Sequence, residues 1–232
     1  MKKNVLILGG SSDIGIELAK KFLDKNIYIV NLHYNSNSKV LKNIKYKCKL
    51  IKADLSNSNE KNILKKFNDN YDIIINLVGY INNKKFENFS IKSFEKNLRI
   101  NSLYPFMIIR KSIRKMIKKG WGRIVNSSSV GVKFGGGLQT FEYSMSKHLN
   151  EFIPNYIRKI AAKNIFYNVI KIGLTKTKIH KKISSKNLSK RTKLVPVKKM
   201  AHPKDIANYI YHISSNENQF ITGQVINITG GE

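Results

Sequence analysis

The chain of 232 residues contains one cysteine, Cys48, and five histidines without metal-ligand spacing. A single cysteine can form neither an internal disulfide nor a cysteine-based metal cluster, so we expect no disulfide framework and no metal site. Long apolar runs are also missing, which argues against a membrane span. The short apolar run near the start is followed at once by Asp13 and Glu17, so we interpret it as a strand rather than a signal peptide. These absences fit a reducing location, with the cytoplasm favoured.

Acidic residues are scarce: 14 Asp and Glu stand against 43 Lys and Arg, which gives a formal net charge of +29. One explanation is an acidic or polyanionic partner. The other is a compositional drift toward lysine, and the scatter of lysines through every segment favours it. Basic residues do not interleave with aromatic ones as in single-stranded nucleic-acid binders, so we expect no nucleic-acid partner.

Strand-like and helix-like patterns alternate along the chain, without a linker or an internal repeat. This alternation predicts parallel strands joined by right-handed helical crossovers. The length suits one α/β domain over residues 1–232, a Rossmann-type doubly wound parallel sheet of about seven strands with helices on both faces. Strands are expected at residues 5–8, 27–32, 50–53, 73–75, 124–125, 168–172 and 221–228. The clearest helices are expected at 58–67, 94–117, 142–162 and from Pro203 onward, with bends at Pro105 and Pro154.

A glycine-rich turn follows the first predicted strand. Residues 9–15 read GGSSDIG, and a helical pattern continues through Phe22 and Leu23. At such a junction the backbone N–H groups and the helix dipole can bind a pyrophosphate. A carboxylate beside a phosphate would repel it, so we expect Asp13 to turn away and to cap or brace the start of the helix.

Tyr143 and Lys147 lie four positions apart in a helical pattern, so both side chains can point into one pocket. A free tyrosine has a pKa of about 10, and a nearby ammonium favours the phenolate and lowers that value. Serines at positions 127–129 end a short apolar strand upstream, where a hydroxyl could hydrogen-bond a carbonyl oxygen as charge develops on it. The same Tyr-x-x-x-Lys spacing occurs at Tyr80 and Tyr167, so the context rather than the spacing singles out Tyr143.

Several segments together resemble the short-chain dehydrogenase/reductase family. The resemblance is carried by GGSSDIG at 9–15, NLVG at 76–79, GRIVNSSSVGVKFGGGLQTFEYSMSK at 122–147, IGLTKT at 172–177 and ITGQVINI at 221–228. It implies oxidation or reduction of a carbonyl with NAD(P)(H), with Ser129, Tyr143 and Lys147 as catalytic residues. Ser128 is the alternative serine, because the triplet permits a shift by one residue. Asn101 matches the family's asparagine that relays protons between the lysine and solvent.

The resemblance also implies a cofactor site along the carboxyl ends of the strands. Its expected residues come from the glycine turn, the ends of the second to fourth strands, the catalytic helix and the segment after the sixth strand. They are Gly9, Ser11, Ser12, Ile14, Gly15, His33, Tyr34, Asp54, Leu55, Asn76, Gly79, Tyr143, Lys147, Ile172, Gly173, Thr175 and Thr177.

NADP(H) is the favoured cofactor, with NAD(H) as the other possibility. An NAD-specific site usually offers a carboxylate to the ribose hydroxyls at the end of the second strand. His33 stands at that place, and no Asp or Glu occurs between Asp24 and Asp54. A 2′-phosphate would therefore meet no repulsion, and Lys39 is a candidate to reach it.

Within the family, the chain most resembles the 3-oxoacyl-[acyl-carrier-protein] reductases, through HYNSN at 33–37, VPVKKMAHPKDIA at 195–207 and ITGQVINITGG at 221–231. A keto-sugar or nucleotide-sugar reductase is an alternative from the same family. A non-catalytic dinucleotide-sensing or polyanion-binding protein is an alternative of another class.

Residues 178–200 lack a clean period and are expected to form a mobile lid over the substrate. No acid occurs between Phe152 and Lys204, so the lid should attract an acidic carrier protein or a phosphate-bearing substrate. We also expect a homo-oligomer, most simply a tetramer, built by two-fold contacts of the helices at 101–118 and 142–162. The basic run at 110–119 opposes this association unless its charges lie outside the contact.

Overall fold

A computed structural model of the protein describes residues 2–183 and 187–232, apart from the side chains of residues 181 and 182. Within these ranges seven parallel strands form one sheet in the order β3-β2-β1-β4-β5-β6-β7. They are β1 (Lys3–Leu8), β2 (Tyr28–Tyr34), β3 (Lys49–Lys52), β4 (Ile73–Asn76), β5 (Gly122–Ser129), β6 (Ile165–Ile172) and β7 (Val225–Ile228). The direction of winding reverses between β1 and β4, so a crevice opens there at the carboxyl ends of the strands. The predicted doubly wound sheet is confirmed.

Helices cover both faces of the sheet. They are α1 (Asp13–Leu23), α2 (Glu60–Leu64), α3 (Ile91–Leu98), α4 (Tyr104–Lys119), α5 (Phe141–Leu149), α6 (Asn155–Lys159), α7 (Leu188–Leu194) and α8 (Pro203–Ser214). Val5 and Ile7 face α1 and α8, whereas Leu6 and Leu8 face α4, because alternate side chains of a strand point to opposite faces. All four are fully buried, so an apolar core lies on each face of the sheet. No helix in the described ranges is long and apolar enough to cross a membrane.

The last strand is shorter than predicted, since β7 begins at Val225 rather than at residue 221. The residues before it form a turn around the side chain of Asn218. The Asn218 carboxamide donates to the carbonyl oxygens of Ile213 and Ile221 and accepts from the Ile221 N–H. This local hydrogen bonding competes with the strand ladder, as asparagine side chains commonly do.

The helix predicted at 142–162 is two helices, and the prediction of a kink at Pro154 was wrong. α5 ends at Leu149, and Pro154 stands immediately before α6 with φ −57° and ψ 143°. A proline has no N–H to donate inside a helix, whereas at a helix start that donor would have no intrahelical partner. Pro154 therefore begins a new helix.

The helix predicted at 94–117 is also interrupted. A π-helical turn, Arg99–Leu103, separates α3 from α4, and the Tyr104 N–H donates to the Arg99 carbonyl across this wider turn. Pro105 follows, and it cannot donate to the carbonyl four residues earlier, which belongs to Asn101. That oxygen accepts instead from the side-chain amide of Asn150 at 3.1 Å. The proline thus frees a backbone carbonyl for a side-chain contact near the predicted site.

The segment at 178–200, whose sequence has no clean period, contains short helices where it is described. A 3₁₀ turn occupies Lys178–Lys182, and α7 starts at the Asn187 cap, whose side chain accepts from the Lys190 N–H. Lys186 and the side chains of Lys181 and Lys182 lie outside the described residues. The lid function of this segment stays a prediction.

Candidate active site

A cavity of about 1330 Å³ runs along the carboxyl ends of the strands. Most small-ligand pockets have roughly 300–1,000 Å³, so this one has room for a dinucleotide together with a substrate. Most of the predicted site residues line it: Gly9, Ser11, Ser12, Ile14, His33, Tyr34, Asp54, Leu55, Gly79, Ser129, Tyr143, Lys147, Ile172, Gly173, Thr175 and Thr177. Gly15, Asn76 and Asn101 do not line it.

The glycine turn brings closely packed backbone to one end of the cavity. Gly9 has φ +74°, a left-handed conformation, and a Cβ there would lie 2.9 Å from the Leu77 backbone. A Cβ on Gly15 would lie 2.7 Å from the Gly9 carbonyl oxygen, so Gly15 lets α1 start close to the turn. Ser12 caps the helix by accepting from the Gly15 N–H at 3.1 Å. The turn and the helix start therefore form a cradle that suits a pyrophosphate.

Asp13 neither caps α1 nor points away from the cavity, which corrects the expectation for this residue. Ser12 is the cap, and the Asp13 carboxylate reaches across to the segment after β6. Its Oδ2 accepts from the Lys178 backbone N–H at 2.8 Å, and its Oδ1 lies 3.8 Å from Lys178 Nζ. Asp13 therefore links the glycine turn to the opposite side of the cavity.

The ring of His33 is buried at the end of β2 and uses both of its nitrogens. Nδ1 accepts from the Gly9 N–H at 3.2 Å, so the proton sits on Nε2, which donates to the Ala53 carbonyl oxygen at 3.0 Å. Burial lowers the pKa of His33 to about 4, and the ring is therefore neutral at pH 7. His33 therefore links the glycine turn to the end of β3. The sequence predicted a cofactor contact for His33 but not this structural role.

The cavity wall just beyond β2 carries no negative charge. Tyr34 and residues 35–37 supply neutral polar groups there, whereas the Asp54 carboxylate, which accepts from the Ser56 N–H through Oδ1, lines the cavity beyond β3. Lys39 is exposed at the start of a 3₁₀ turn, Lys39–Leu41, of which Val40 and not Lys39 lines the cavity. This wall can accommodate a 2′-phosphate, but the structure does not bring Lys39 to it.

The serines at the end of β5 point to three different partners. Ser127 Oγ accepts from Lys147 Nζ at 2.9 Å, and Ser128 Oγ donates to Glu151 at 2.6 Å on the far side of the strand. Ser129 alone shares a hydrogen bond with the Tyr143 hydroxyl. The geometry therefore favours Ser129 over Ser128 as the serine that acts with Tyr143.

The phenol of Tyr143 is more weakly acidic than the sequence argument suggests. Burial raises the pKa of Tyr143 to about 12, and the hydrogen bond with Ser129 opposes this shift only in part. Lys147 lies over the Tyr143 ring, with Nζ 6.0 Å from its centroid, and donates its hydrogen bonds to oxygens of Val78 and Ser127. In this arrangement desolvation of the phenolate outweighs the nearby ammonium, so the predicted lowering of the pKa is not found.

The ammonium of Lys147 is held by backbone and serine oxygens. Nζ donates to the Val78 carbonyl at 2.7 Å, to the Ser127 carbonyl at 3.0 Å and to Ser127 Oγ. These bonds use all three ammonium donors and tie α5 to the ends of β4 and β5. Burial lowers the pKa of Lys147 to about 7, because its partners are neutral oxygens and not carboxylates.

A network of asparagine side chains supports this wall from behind. Asn76 Nδ2 donates to Asn126 Oδ1 at 2.7 Å, which joins the ends of β4 and β5. The Asn101 side chain binds both backbone groups of Tyr80, at 2.7 and 3.0 Å. Asn150, which sequence reasoning missed, donates to the carbonyls of Asn101 and Ser127, both at 3.1 Å. An amide three residues after Lys147 on the same buried helix face was the signal for it.

Glu142 is a second residue that sequence reasoning missed. It directly precedes Tyr143, is 1% exposed, and its Oε2 accepts from Asn97 at 2.9 Å and from Ser93 at 3.0 Å, with Asn82 as a further donor. These bonds attach the start of α5 to α3 and to the loop before it. Within the described residues, no three His, Cys, Asp or Glu side chains cluster so as to hold a metal ion.

Comparison with known proteins places these features in a family. Residues 9–232, which include the glycine turn, Ser129, Tyr143 and Lys147, match a family described as enoyl-(acyl carrier protein) reductase. The 3-oxoacyl-[acyl-carrier-protein] reductase FabG of Aquifex aeolicus (strain VF5) is 30% identical over 237 residues, 97% of this chain and 95% of that protein. The enzyme of the same name from Buchnera aphidicola subsp. Baizongia pistaciae (strain Bp) is 31% identical over 239 residues, 99% of this chain and 97% of that protein.

Solved structures give the same result. ElxO with NADP bound is 28% identical, covers 100% of this chain and 98% of its own, and superposes with a TM-score of 0.82. The 3-oxoacyl-[acyl-carrier protein] reductase of Brucella melitensis ATCC 23457 has a TM-score of 0.84 at 22% identity, covering 99% of this chain and 90% of its own. The second likeness concerns the fold alone.

Proposed function

This chain belongs to the short-chain dehydrogenase/reductase family, the NAD(P)(H)-dependent oxidoreductases, and we propose that it reduces 3-oxoacyl thioesters carried on an acyl carrier protein. The observation that carries the proposal is the grouping of Ser129, Tyr143 and Lys147 on one wall of a cavity whose other end is the glycine turn. A hydride adds to the 3-carbonyl carbon, and the carbonyl oxygen becomes a hydroxyl by taking a proton from Tyr143. Relatives at 30% and 31% identity bear the name of this activity.

NADPH is the proposed cofactor, and it supplies the hydride when bound. The glycine turn and the start of α1 would hold its pyrophosphate, and the neutral wall at Tyr34 would accept its 2′-phosphate. A Cβ on Gly79 would lie 3.2 Å from the end of the Ile179 side chain and 3.9 Å from the Tyr143 ring, so the bare backbone of Gly79 leaves space between these two side chains at the end of β4. ElxO, a relative of similar fold, binds NADP.

Tyr143 is the proposed proton donor. A phenol whose pKa is about 12 is fully protonated at pH 7, which is the form a donor needs. Ser129 would hydrogen-bond the carbonyl oxygen as negative charge develops on it. Lys147, with a pKa of about 7, changes its charge in the working pH range, so the electrostatic support for Tyr143 should vary with pH.

An acidic carrier protein is the proposed substrate carrier because of the charge around the cavity mouth. Lys178 and Arg191 line the cavity, and Lys190, Lys193 and Lys198 are exposed beside it. Asp13 and Glu232 offset the charges of Lys178 and Arg191. No acid occurs between residues 152 and 204, so the three exposed lysines would give the surface a positive field that speeds encounter with an anionic carrier.

A substrate panel tests the proposal. NADPH oxidation is measured with acetoacetyl thioester on carrier protein, with the same acyl group on a small neutral thiol, with a keto nucleotide-sugar and with a plain cyclic ketone. We expect the carrier-bound thioester to be turned over most efficiently, and its advantage to shrink as salt is added. Equal turnover of the neutral compounds, with no effect of salt, would refute the carrier. Preference for the keto nucleotide-sugar would replace the acyl substrate, and the absence of oxidation with every compound would refute the activity.

A homo-oligomer, most simply a tetramer, is proposed from the outer faces of α4 and α5. Leu103, Phe106, Met145, Leu149 and Phe152 are all exposed there. The charges of the basic run lie partly outside this surface, because the ammonium groups of Lys111, Lys115 and Lys119 bind Phe67, Asp69 and Asp72 on the other side of α4. Light scattering at micromolar concentration should give a multiple of the chain mass, and a monomer would contradict the proposal.

A further inference from the structure

The contact between Asp13 and Lys178 joins residues from opposite ends of the sequence at one edge of the cavity. Asp13 holds the Lys178 backbone N–H at 2.8 Å, but the Lys178 ammonium stays 3.8 Å from the carboxylate, beyond hydrogen-bonding distance. The Lys178 side chain is 68% exposed. The backbone of Lys178 is therefore fixed beside the glycine turn while its ammonium remains free to turn toward an anion.

The glycine turn contributes no cation of its own to a bound pyrophosphate. Residues 9–15 contain no Lys or Arg, and the carboxylate of Asp13 adds a negative charge at the start of α1. A carboxylate at this position weakens the attraction of the helix dipole for a phosphate. Any positive charge that offsets Asp13 therefore comes from elsewhere in the cavity wall.

Among the described residues that line the cavity, the other lysines and arginines are engaged elsewhere. Lys96 lies over the Tyr80 ring, Lys147 donates to three oxygens behind the wall, and Arg191 pairs with Glu232. Lys178 alone among these cations contacts the glycine turn.

We propose that Lys178 neutralises the pyrophosphate of the dinucleotide and that Asp13 is the positioning residue that places it there. The proposal rests on the proposed function only in requiring a dinucleotide cofactor. Asp13 thus has two opposed effects: its charge repels the phosphates, and its hydrogen bond brings a cation to them. Both cofactors carry the pyrophosphate, so Lys178 acts on NADPH and NADH alike and does not set the preference between them.

The test compares Lys178→Met with Lys176→Met by measuring dissociation constants for NADPH and NADH. Lys176 is exposed on the same segment but does not line the cavity, so its variant removes the same charge as a matched control. Lys178→Met keeps the backbone bond to Asp13 and should weaken binding of both cofactors by roughly threefold, the size of an exposed charge contact. Near 1 M salt, where the Debye length is about 3 Å, the difference should disappear.

Asp13 variants test the positioning. Asp13→Asn keeps an oxygen for the Lys178 N–H and removes the repulsion, so both cofactors should bind more tightly. In an Asp13→Ala background the cation is no longer placed, and the effect of Lys178→Met should fall to that of Lys176→Met. An unchanged effect in that background would overturn the role of Asp13.

Other outcomes separate this proposal from the function itself. Equal effects of Lys178→Met and Lys176→Met, or an effect confined to NADPH, would overturn the role of Lys178 while the reductase proposal stands. Failure of the unaltered protein to bind either dinucleotide would overturn both proposals.

Discussion

Lys147 and Lys178 line the same cavity, yet they differ in burial and in how their side chains are held. Three protein oxygens enclose the ammonium of Lys147, and burial lowers its pKa to about 7. Lys178 is mostly exposed and is fixed through its backbone. The chain has 43 basic residues, so the residue type alone does not tell these lysines apart. Lys147 acts through its fixed, buried position, whereas Lys178 acts through an electrostatic attraction that salt can screen.

The same contrast extends to the two regions around these lysines. The wall formed by β4, β5 and α5 is a buried network in which Asn76, Asn126 and Asn150 link strand ends to the helix. The basic segment at 178–200, where it is described, carries exposed lysines such as Lys190, Lys193 and Lys198. Substitutions in the wall should therefore lower turnover, whereas substitutions of exposed lysines in the basic segment should weaken cofactor binding or slow the encounter with the carrier.

The largest expected effect comes from Tyr143→Phe. Removing the proton donor should lower turnover by at least about 100-fold, the usual scale of general acid catalysis, while NADPH still binds. Steady-state NADPH oxidation and a binding titration measure the two quantities. Tyr80→Phe is the matched control, because Tyr80 also lines the cavity and also precedes a lysine by four residues. Turnover close to normal in Tyr143→Phe would remove the proton-donor assignment.

Lys147→Met should have the next largest effect. It removes three hydrogen bonds of a charged group, so turnover should fall by at least about tenfold, and cofactor binding should weaken. Unlike the loss at Lys178, this loss should persist at high salt because the group is buried. The pH dependence of turnover near 7 in the unaltered enzyme should also disappear. An effect of Lys147→Met that salt abolishes would erase the contrast between the two lysines.

His33 gives a smaller effect, on stability. Its pKa is about 4 in the folded protein and about 6.5 in the unfolded chain, so between these values the unfolded chain binds the extra proton. Its contribution is complete above pH 6.5 and is lost as the pH falls toward 4, a change on the order of 3 kcal/mol. Urea unfolding at several pH values measures it. The exposed His148 is the control: His33→Asn should flatten the acid slope, and His148→Asn should not.

The outcome at single residues shows how much of this architecture is readable from sequence. The strands could be predicted because a short, uninterrupted apolar run such as residues 73–75 is typical of a strand that is buried on both faces of a parallel sheet. Sequence spacing predicted that Tyr143 and Lys147 lie together. It did not predict the direction in which the pKa of Tyr143 shifts, because that direction depends on burial. Asn150 and Asp13 were missed or misread because their partners, Asn101 and Lys178, are distant in sequence.

The smallest effect is expected from the outer lysines of the basic segment. Lys190 and Lys193 are both exposed residues of α7. Among the described residues, no carboxylate lies within hydrogen-bonding distance of either ammonium group. Replacing both by glutamine removes two charges from the field at the cavity mouth and leaves the catalytic wall unchanged. Since exposed charges act on encounter rates, kcat/KM for an acyl carrier protein substrate should fall by roughly two- to fivefold at low salt. The value for a small neutral thioester should not change.

The control for this prediction removes the same two charges elsewhere. Lys61 and Lys65, at α2, are exposed and do not line the cavity, so Lys61→Gln with Lys65→Gln keeps the net charge of the test variant. If both double variants slow the carrier substrate equally, the whole-protein charge steers encounter and position does not matter. If only the α7 variant does, and added salt removes the difference, the field is local to the mouth. If neither does, the lysines beside the cavity reflect the lysine-rich composition and have no role in encounter. The contrast between a buried, fixed cation and an exposed one that salt screens then holds only for Lys147 and Lys178.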